Sequence, residues 1–67
     1  MTNSLNPEYT NELQLYYGEQ YEFLLTKGYT PDHADSEAYA LTLDEYDHIF
    51  TKAQIIEALN EVRLDFI

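Results

Sequence analysis

Residues 24 to 34 read LLTKGYTPDHA and contain the clearest helix boundary in the sequence. Lys27 and Gly28 are typical of a helix C-terminus, because a cation favours the last carbonyls and glycine readily takes the left-handed conformation. Thr30 and Pro31 follow at once and are typical of an N-cap and a first helical residue. The stretch therefore predicts two helices joined by a tight turn.

Similar signals on either side predict the other helix boundaries. Asn6 and Pro7 are typical of an N-cap and a first helical residue. Further along, Thr42 and Thr51 each begin a Ser/Thr-x-x-Glu/Gln capping box, in which the two side chains accept from each other's backbone N–H groups. The predicted helices cover about 7–27, 31–41, 43–50 and 52–66.

The break at Thr42 has an alternative, which is an uninterrupted helix over about 31–50. The apolar positions favour the break, because Ala34, Ala38 and Leu41 form one stripe and a second stripe begins at an angle to it. The second stripe comprises Leu43, Tyr46, Ile49 and Phe50. No strand pattern of useful length competes with these helices. We therefore predict an all-α fold, as a compact domain of three or four helices.

The length of 67 residues leaves room for one small domain. Residues 1–5 are predicted to be a loose N-terminal tail, and residues 6–67 a single helical domain. Apolar residues make up 45% of the chain and aromatics 15%, which favours a folded chain in spite of its charge. The two glycines and two prolines are assigned to helix boundaries. Because a core of this size supplies only roughly 3–5 kcal/mol, a homodimer or a partner would add stability.

The charge of the chain restricts its partners. Thirteen Asp and Glu against three Lys and Arg give a net charge of −10. Phosphate binding relies on Lys and Arg, so direct binding to nucleic acid or to an anionic membrane is not expected. The expected partner is a basic protein. Since the sequence shows neither a long apolar span nor the pattern of a signal peptide, a cytoplasmic location is predicted.

Acidic residues gather on one side of the first predicted helix. At about 100° per residue, Glu8, Glu12, Glu19 and Glu22 fall within an arc of about 80°. Glu8 and Glu12 repel each other at this spacing, and few basic residues are present to offset the repulsion. We interpret the arc as an ordered row of carboxylates that imitates the phosphates of DNA. The alternative is an ordinary solvated surface that aids solubility.

The same rotation of about 100° per residue locates the apolar residues on the first predicted helix. The apolar face of the first helix is predicted on an arc of roughly 60–180° from Glu8. It comprises Tyr9, Leu13, Tyr16, Tyr17, Gln20, Phe23 and Leu24. Leu15 lies inside the glutamate arc, either as a chance exposed leucine or as the centre of an interface. Tyr21 and Tyr39 are predicted to lie off the apolar face as contact residues, and the alternative places them at the rim of the core with their hydroxyls in water, together with Tyr17 and Tyr46.

The predicted partner-binding residues combine these features with the acids of the connecting region. They are Glu8, Glu12, Leu15, Glu19, Tyr21, Glu22, Asp32, Asp35, Tyr39, Asp44, Glu45 and Asp47.

No enzymatic activity, cofactor or metal is predicted. The chain has no cysteine, no glycine-rich phosphate loop and no G-x-S-x-G sequence, so nucleophilic and nucleotide chemistry lack candidate residues. His33 and Glu37 are four residues apart, and His48 follows Asp44 and Asp47, so a metal site is conceivable. Such neighbours are expected by chance in a chain this acidic, and no H-E-x-x-H or calcium-loop motif is present.

In size, charge and aromatic content the chain resembles the small acidic DNA-mimic inhibitors that phages and mobile elements make against restriction enzymes, CRISPR effectors or host DNA-binding proteins. The resemblance covers the whole chain as a composition, without a shared motif, and it carries over no functional residues. It implies inhibition by occupying a basic nucleic-acid-binding groove. The alternative function is a small structural or regulatory adaptor, as a homodimer or with another protein, that binds through its Tyr and Leu surface.

Overall fold

Three helices form the described part of the chain. The structure, a computed structural model, describes residues 6–63. In chain order the helices are α1 (Pro7–Thr26), α2 (Pro31–Tyr46) and α3 (Lys52–Arg63). Residues 6–63 contain no strand, and the predicted all-α fold is confirmed. The predicted N-terminal tail and the predicted end of the last helix, beyond residue 63, lie outside the described residues.

The turn between α1 and α2 has the geometry that the sequence predicts. The N–H of Tyr29 donates to the carbonyl of Leu24 at 3.1 Å, and the N–H of Gly28 donates to that of Leu25 at 3.0 Å. These two bonds are those of a Schellman motif, which satisfies the last carbonyls of a helix. Gly28 has a φ of 100°, a backbone conformation that residues with a side chain rarely adopt. The predicted role of Gly28 is therefore confirmed.

Side chains cap the N-termini of all three helices. The Oδ1 atom of Asn6 accepts from the N–H two residues ahead at 2.9 Å, and Oγ1 of Thr30 accepts from the N–H three residues ahead at 3.3 Å. At α3, Thr51 and Gln54 accept from each other's backbone N–H groups, at 3.1 and 3.0 Å. The three predicted caps are therefore confirmed, and the last is a complete capping box.

The predicted break at Thr42 is wrong, because α2 continues through this position to Tyr46. The side chain of Thr42 is fully buried, and its hydroxyl donates to the carbonyl of Ala38 at 2.8 Å. This hydroxyl therefore bonds back into its own helix and does not cap a new one. Ala34, Ala38 and Thr42 form one buried stripe, so a single helix replaces the two that were predicted.

The two apolar stripes that favoured a break belong to a single helix and the turn that follows it. Leu43 and Tyr46 are partly buried and pack against the core from the flank of α2. Leu41, which was assigned to the first stripe, is exposed, and Ile49 is exposed in the turn over residues 47–50. The buried place that Leu41 was expected to fill is taken by Thr42, a polar residue that the apolar pattern did not count.

Replacing Thr42 by valine tests the continuous helix. A methyl group replaces a buried hydroxyl and no cap is lost, so the free energy of unfolding is expected to stay the same or to rise. Thr51→Val is the matched control, because it removes a true N-cap and is expected to cost about 0.5–2 kcal/mol. Urea unfolding followed by circular dichroism measures both. Equal losses in the two variants would contradict the continuous helix.

The core lies where the inner faces of the three helices meet. Its buried residues are Leu13, Tyr17, Tyr21 and Leu24 from α1, Ala34, Ala38 and Thr42 from α2, and Ile55, Ala58 and Leu59 from α3. No helix among residues 6–63 is long and apolar enough to cross a membrane.

The buried face of α1 differs in direction from the predicted one. With Glu8 at zero, the buried residues centre at about 180°, whereas the predicted apolar arc centres at about 120°. Tyr9 and Phe23, at about 100° and 60° within the predicted arc, are 48% and 54% exposed. The reason is that α3 packs against the side of α1 that carries Gln14. There Nε2 of Gln14 donates to the carbonyl of Ala58 at 2.9 Å. The glutamate arc therefore points directly away from the core.

Candidate functional site

The outer side of α1 carries a row of carboxylates with one leucine among them. We define the acidic face of α1 as Glu8, Glu12, Leu15, Glu19 and Glu22, all of which are exposed. At a rise of about 1.5 Å per residue, the row spans about 21 Å along the helix axis. α1 contains no Lys or Arg, so no cation from the same helix offsets these four negative charges. The predicted exposure of Leu15 is confirmed, at 59%.

The rest of the described surface is also short of positive charge. Eleven of the twelve Asp and Glu side chains within residues 6–63 are exposed, against three Lys and Arg in the same range. Arg63 is already paired with Asp35, and Lys27 lies over the ring of Phe23 at 5.3 Å. Within residues 6–63 no lysine lies within 4.0 Å of a carboxylate oxygen. The acidic face of α1 is therefore not neutralised by ion pairs with this part of the chain.

Gly18 lies in a depression beside the C-terminal half of this face, on the flank of α1 that carries Gln14. The depression has a volume of about 510 Å³. It is lined by Gln14, Leu15, Gly18, Glu19, Tyr21 and Glu22.

The assignment of both glycines to helix boundaries is wrong for Gly18, which lies well inside α1. A glycine within a helix is about 1 kcal/mol less favourable than alanine, and that cost is the signal in the sequence that could have drawn attention to this position.

One carboxylate of the acidic face is held by a hydrogen bond from α2. The hydroxyl of Tyr46 donates to Oε2 of Glu12 at 3.3 Å, and the ring of Tyr46 meets the ring of Tyr16 edge to face at 5.5 Å. Burial, together with the charges of Glu45 and Asp44, raises the pKa of Tyr16. Burial and the nearby carboxylate of Glu12 likewise raise the pKa of Tyr46. The structure therefore brings the acids at the end of α2 close to the acidic face of α1.

The other predicted acids of the connecting region lie apart from this group. Asp32 is exposed in the first turn of α2, about 18 Å of helix rise from Asp44. Asp44 and Asp47 border a shallow surface together with Lys52, at the start of α3. Nε2 of His33 lies 3.6 Å from Oε2 of Glu37, on the exposed surface of α2.

Asp35 belongs to an internal cluster and not to the exposed surface. Both of its oxygens accept from Arg63 at 2.9 Å, and Oδ1 also accepts from the hydroxyl of Tyr17. The guanidinium of Arg63 lies 4.0 Å from the ring centre of Tyr39. We define these four residues as the Asp35 cluster, which joins α1, α2 and α3. Sequence reasoning missed it, because its members lie 18 and 28 residues apart and no local pattern connects them.

The tyrosines lie deeper than predicted. Tyr21 is buried and its ring stacks on that of Tyr17 at 6.1 Å, while Tyr39 is partly buried against the core. The prediction that Tyr21 and Tyr39 lie off the apolar face is therefore wrong. The alternative that placed the hydroxyl of Tyr17 in water is also wrong, since that residue is fully buried and donates to Asp35.

The Asp35 cluster shifts the pKa values of its members in opposite directions. Partial burial opposes ionisation of Asp35, but the hydrogen bonds from Arg63 and Tyr17 prevail and hold the pKa of this carboxyl below its usual value of 3.8. Burial and the hydrogen bond to Asp35 raise the pKa of Tyr17 well above 10.0. The hydrogen bond with Asp35 raises the pKa of Arg63. At neutral pH the cluster therefore contains a carboxylate, a guanidinium and a protonated phenol.

These shifts predict a loss of stability at both ends of the pH scale. The contribution of Asp35 is present above pH 3.8 and is lost as the pH falls through its lowered pKa. The contribution of Tyr17 is present below pH 10.0 and is lost as the pH rises above that value, because the folded state retains the proton longer. Urea midpoints at pH 3, 7 and 10.5 measure both effects. Tyr17→Phe is expected to flatten the alkaline loss, and an unchanged alkaline loss in that variant would contradict the assignment.

Residues 6–63 contain no group of three His, Asp or Glu side chains placed to hold a metal ion. No family model, no curated protein and no solved structure matches the chain. The function proposed below therefore depends on the geometry and charge of the described residues.

Proposed function

We propose that this protein is an inhibitor that binds another protein by DNA mimicry. The acidic face of α1 enters the basic groove with which a partner normally holds nucleic acid, and so keeps nucleic acid out. The observation that carries the proposal is the position of Glu8, Glu12, Glu19 and Glu22. All four are exposed on the side of α1 opposite the core, on a helix without a single Lys or Arg.

The dimensions of the row support the proposal. Its length of about 21 Å corresponds to about six phosphate steps along one strand of DNA, at 3.4 Å per step. Four carboxylates over this length offer lysine and arginine side chains a sparser version of the same charge pattern. A helix holds them at fixed spacing, so the partner does not have to order a flexible acidic chain.

The acids near the Tyr16–Tyr46 pair extend the charged surface. Asp44 and Glu45 lie close enough to Tyr16 to raise its pKa, so negative charge continues from α1 onto the end of α2. The net charge of −10 adds long-range attraction toward a basic groove, which accelerates association at low salt. Under this proposal the protein acts in the cytoplasm, needs no cofactor and performs no catalytic step.

The exposed apolar residues favour a second candidate, the adaptor that binds through its Tyr and Leu surface. Tyr9, Leu15 and Phe23 are about half exposed on α1 and could contact another protein. A homodimer through the acidic face is disfavoured, because it would bring two rows of carboxylates together. Leu15→Asp separates the candidates: it should abolish binding by an adaptor, whereas an inhibitor held by charge should keep most of its affinity.

The test is displacement of DNA from defined proteins. A fluorescent duplex is bound to a restriction enzyme, a CRISPR effector nuclease or a bacterial nucleoid protein, and the chain is titrated in at 50 and 500 mM salt. We expect displacement from at least one of the three, and we expect it to weaken by tenfold or more at high salt. No displacement from any of them, or displacement that ignores salt, would contradict the proposal.

A further inference from the structure

Four residues of α1 around Gly18 form a hole of the kind that receives a side chain. Leu15, Gly18, Glu19 and Glu22 stand at positions i, i+3, i+4 and i+7, which are neighbours on one face of a helix. Packed helices insert a side chain of one helix into such a set of four on the other. Here the floor is a glycine, one corner is an exposed leucine and two corners are carboxylates. The combination offers a ligand both apolar contact and negative charge.

The fold itself gives no reason for a glycine at the floor of this hole. A Cβ atom built on Gly18 would meet nothing within 4 Å, so no neighbouring element of the described chain needs the space. The backbone of Gly18 does not have a positive φ, so an alanine would fit its conformation. The open space therefore faces outward, toward whatever approaches the acidic face of α1.

We propose that this hole receives an arginine side chain from the basic partner. The inference rests on the proposed function and names the group that its acidic face recognises. The aliphatic stem of the arginine would lie against Leu15 and over Gly18, and the guanidinium would meet the carboxylates of Glu19 and Glu22. Tyr21, which is 7% exposed, also lines the depression.

The chemistry of the hole disfavours other occupants. An apolar side chain would remove water from two carboxylates without supplying a positive charge. A second copy of this chain would place its own glutamates against Glu19 and Glu22. Lysine has a single, strongly hydrated charge and lacks the planar fork of donors that binds a carboxylate through two hydrogen bonds. Arginine satisfies the apolar corner and the charged corners together.

The two glycines of the chain make the test simple by NMR. Gly18 lies in the hole, whereas Gly28 lies in the turn after α1, and glycine amides are easily recognised in a ¹⁵N–¹H spectrum. The probe is a capped helical peptide of alanine and glutamine with three arginines, and the control peptide has three lysines. We expect the amide of Gly18 to shift more than that of Gly28. We also expect the lysine peptide to bind at least threefold more weakly. Equal shifts at both glycines, or equal affinity for both peptides, would overturn the inference.

Variants of the floor residue separate a binding role from a structural one. Gly18→Ala and Gly18→Leu are both expected to raise the Tm, for the alanine variant by roughly 4–8 °C, because either residue forms a helix better than glycine. Gly18→Leu fills the hole and is expected to bind the arginine peptide about tenfold more weakly. Ala53→Leu, at an exposed position of α3, is the matched control and should leave the affinity unchanged. A Tm that falls in both Gly18 variants, or an affinity that Gly18→Leu leaves intact, would overturn the inference.

The outcome for the hole can be read separately from the outcome for the proposed function. Displacement of DNA by both the native chain and Gly18→Leu, without preference for arginine, would refute the arginine site and leave the inhibitor proposal standing. An arginine preference that Gly18→Leu abolishes, in a chain that displaces no DNA, would support the site and refute the inhibitor proposal.

Discussion

Asp35→Ala is expected to lower the free energy of unfolding by about 2–4 kcal/mol, which is most of the stability that a domain of this size possesses. The substitution removes the carboxylate that accepts from Tyr17 on α1 and from Arg63 on α3. Bonds to a charged group are worth about 1.5–3 kcal/mol each in buried settings. The lower part of the range applies here, since the side chains of Asp35 and Arg63 are still 20% and 28% exposed.

Because Asp35 links α2 to both other helices, its removal is expected to destabilise the whole fold and not only to break one hydrogen bond. The Asp35 cluster is the place where polar groups from all three helices meet, and its salt bridge is the one between a carboxylate and a Lys or Arg that residues 6–63 contain. Without it, α3 keeps the apolar contacts of Ile55, Ala58 and Leu59 with the core and the hydrogen bond that Gln14 donates to Ala58. We expect the unfolded population to rise to a level that circular dichroism detects in the absence of denaturant.

Two further variants make the measurement specific. Glu37→Ala removes an exposed carboxylate from the same helix and is expected to change the stability by less than about 0.5 kcal/mol. Asp35→Asn keeps an acceptor for Tyr17 and should cost less than Asp35→Ala. If Asp35→Ala and Glu37→Ala have the same urea midpoint, the Asp35 cluster does not hold the helices together.

Replacing Glu8, Glu19 and Glu22 together by glutamine is expected to weaken binding to the basic partner about 100-fold at 50 mM salt. Each substitution removes an attraction worth roughly 1 kcal/mol while keeping the size of the side chain, and three such losses together correspond to about 100-fold in affinity. The same variant should lose most of its salt dependence. Displacement of the fluorescent duplex measures both quantities.

The fold of this variant should survive. No hydrogen bond from these three side chains to another residue in 6–63 is present, and removing like charges from one helix face relieves repulsion of a few tenths of a kcal/mol per pair. The Tm is therefore expected to stay the same or to rise. Full affinity in a folded variant would show that the acidic face of α1 does not contact the partner.

The helix boundaries that depend on local chemistry were predictable from the sequence. Asn6, Thr30, Gly28 and Thr51 act through bonds to residues at most five positions away, so their effect can be recognised without the tertiary structure. At Thr42 the local sequence does not decide how the hydroxyl bonds. A threonine hydroxyl can cap a helix or bond back into one, and burial between helices decides which of the two occurs.

The direction of the core depends on contacts that local patterns do not contain. The apolar residues of α1 extend around more than half of the helix, and the position of α3 decides which of them are buried. For that reason Tyr21 became a core residue and Tyr9 remained exposed. Asp35 was assigned to the surface because acids normally lie there, and its partner Arg63 is 28 residues away.

Part of the candidate site was predictable from the periodicity of the α-helix. The carboxylates of α1 share a face because helical periodicity places them there, and Leu15 lies among them for the same reason. The depression depends on Gly18, whose cost within a helix is visible in the sequence. Whether a neighbouring element fills the space above a glycine is a tertiary property, and here none of the described elements does.

Recognition of the acidic face of α1 is tested by comparing two variants with the same net charge. One carries glutamine at Glu8, Glu19 and Glu22, on the acidic face of α1, and the other at Glu37, Glu57 and Glu61, which are also exposed, on α2 and α3. If an ordered row of carboxylates is recognised, the first variant displaces DNA from the partner at least tenfold less well than the second. Equal losses in the two variants would show that only the total charge matters and would contradict the account.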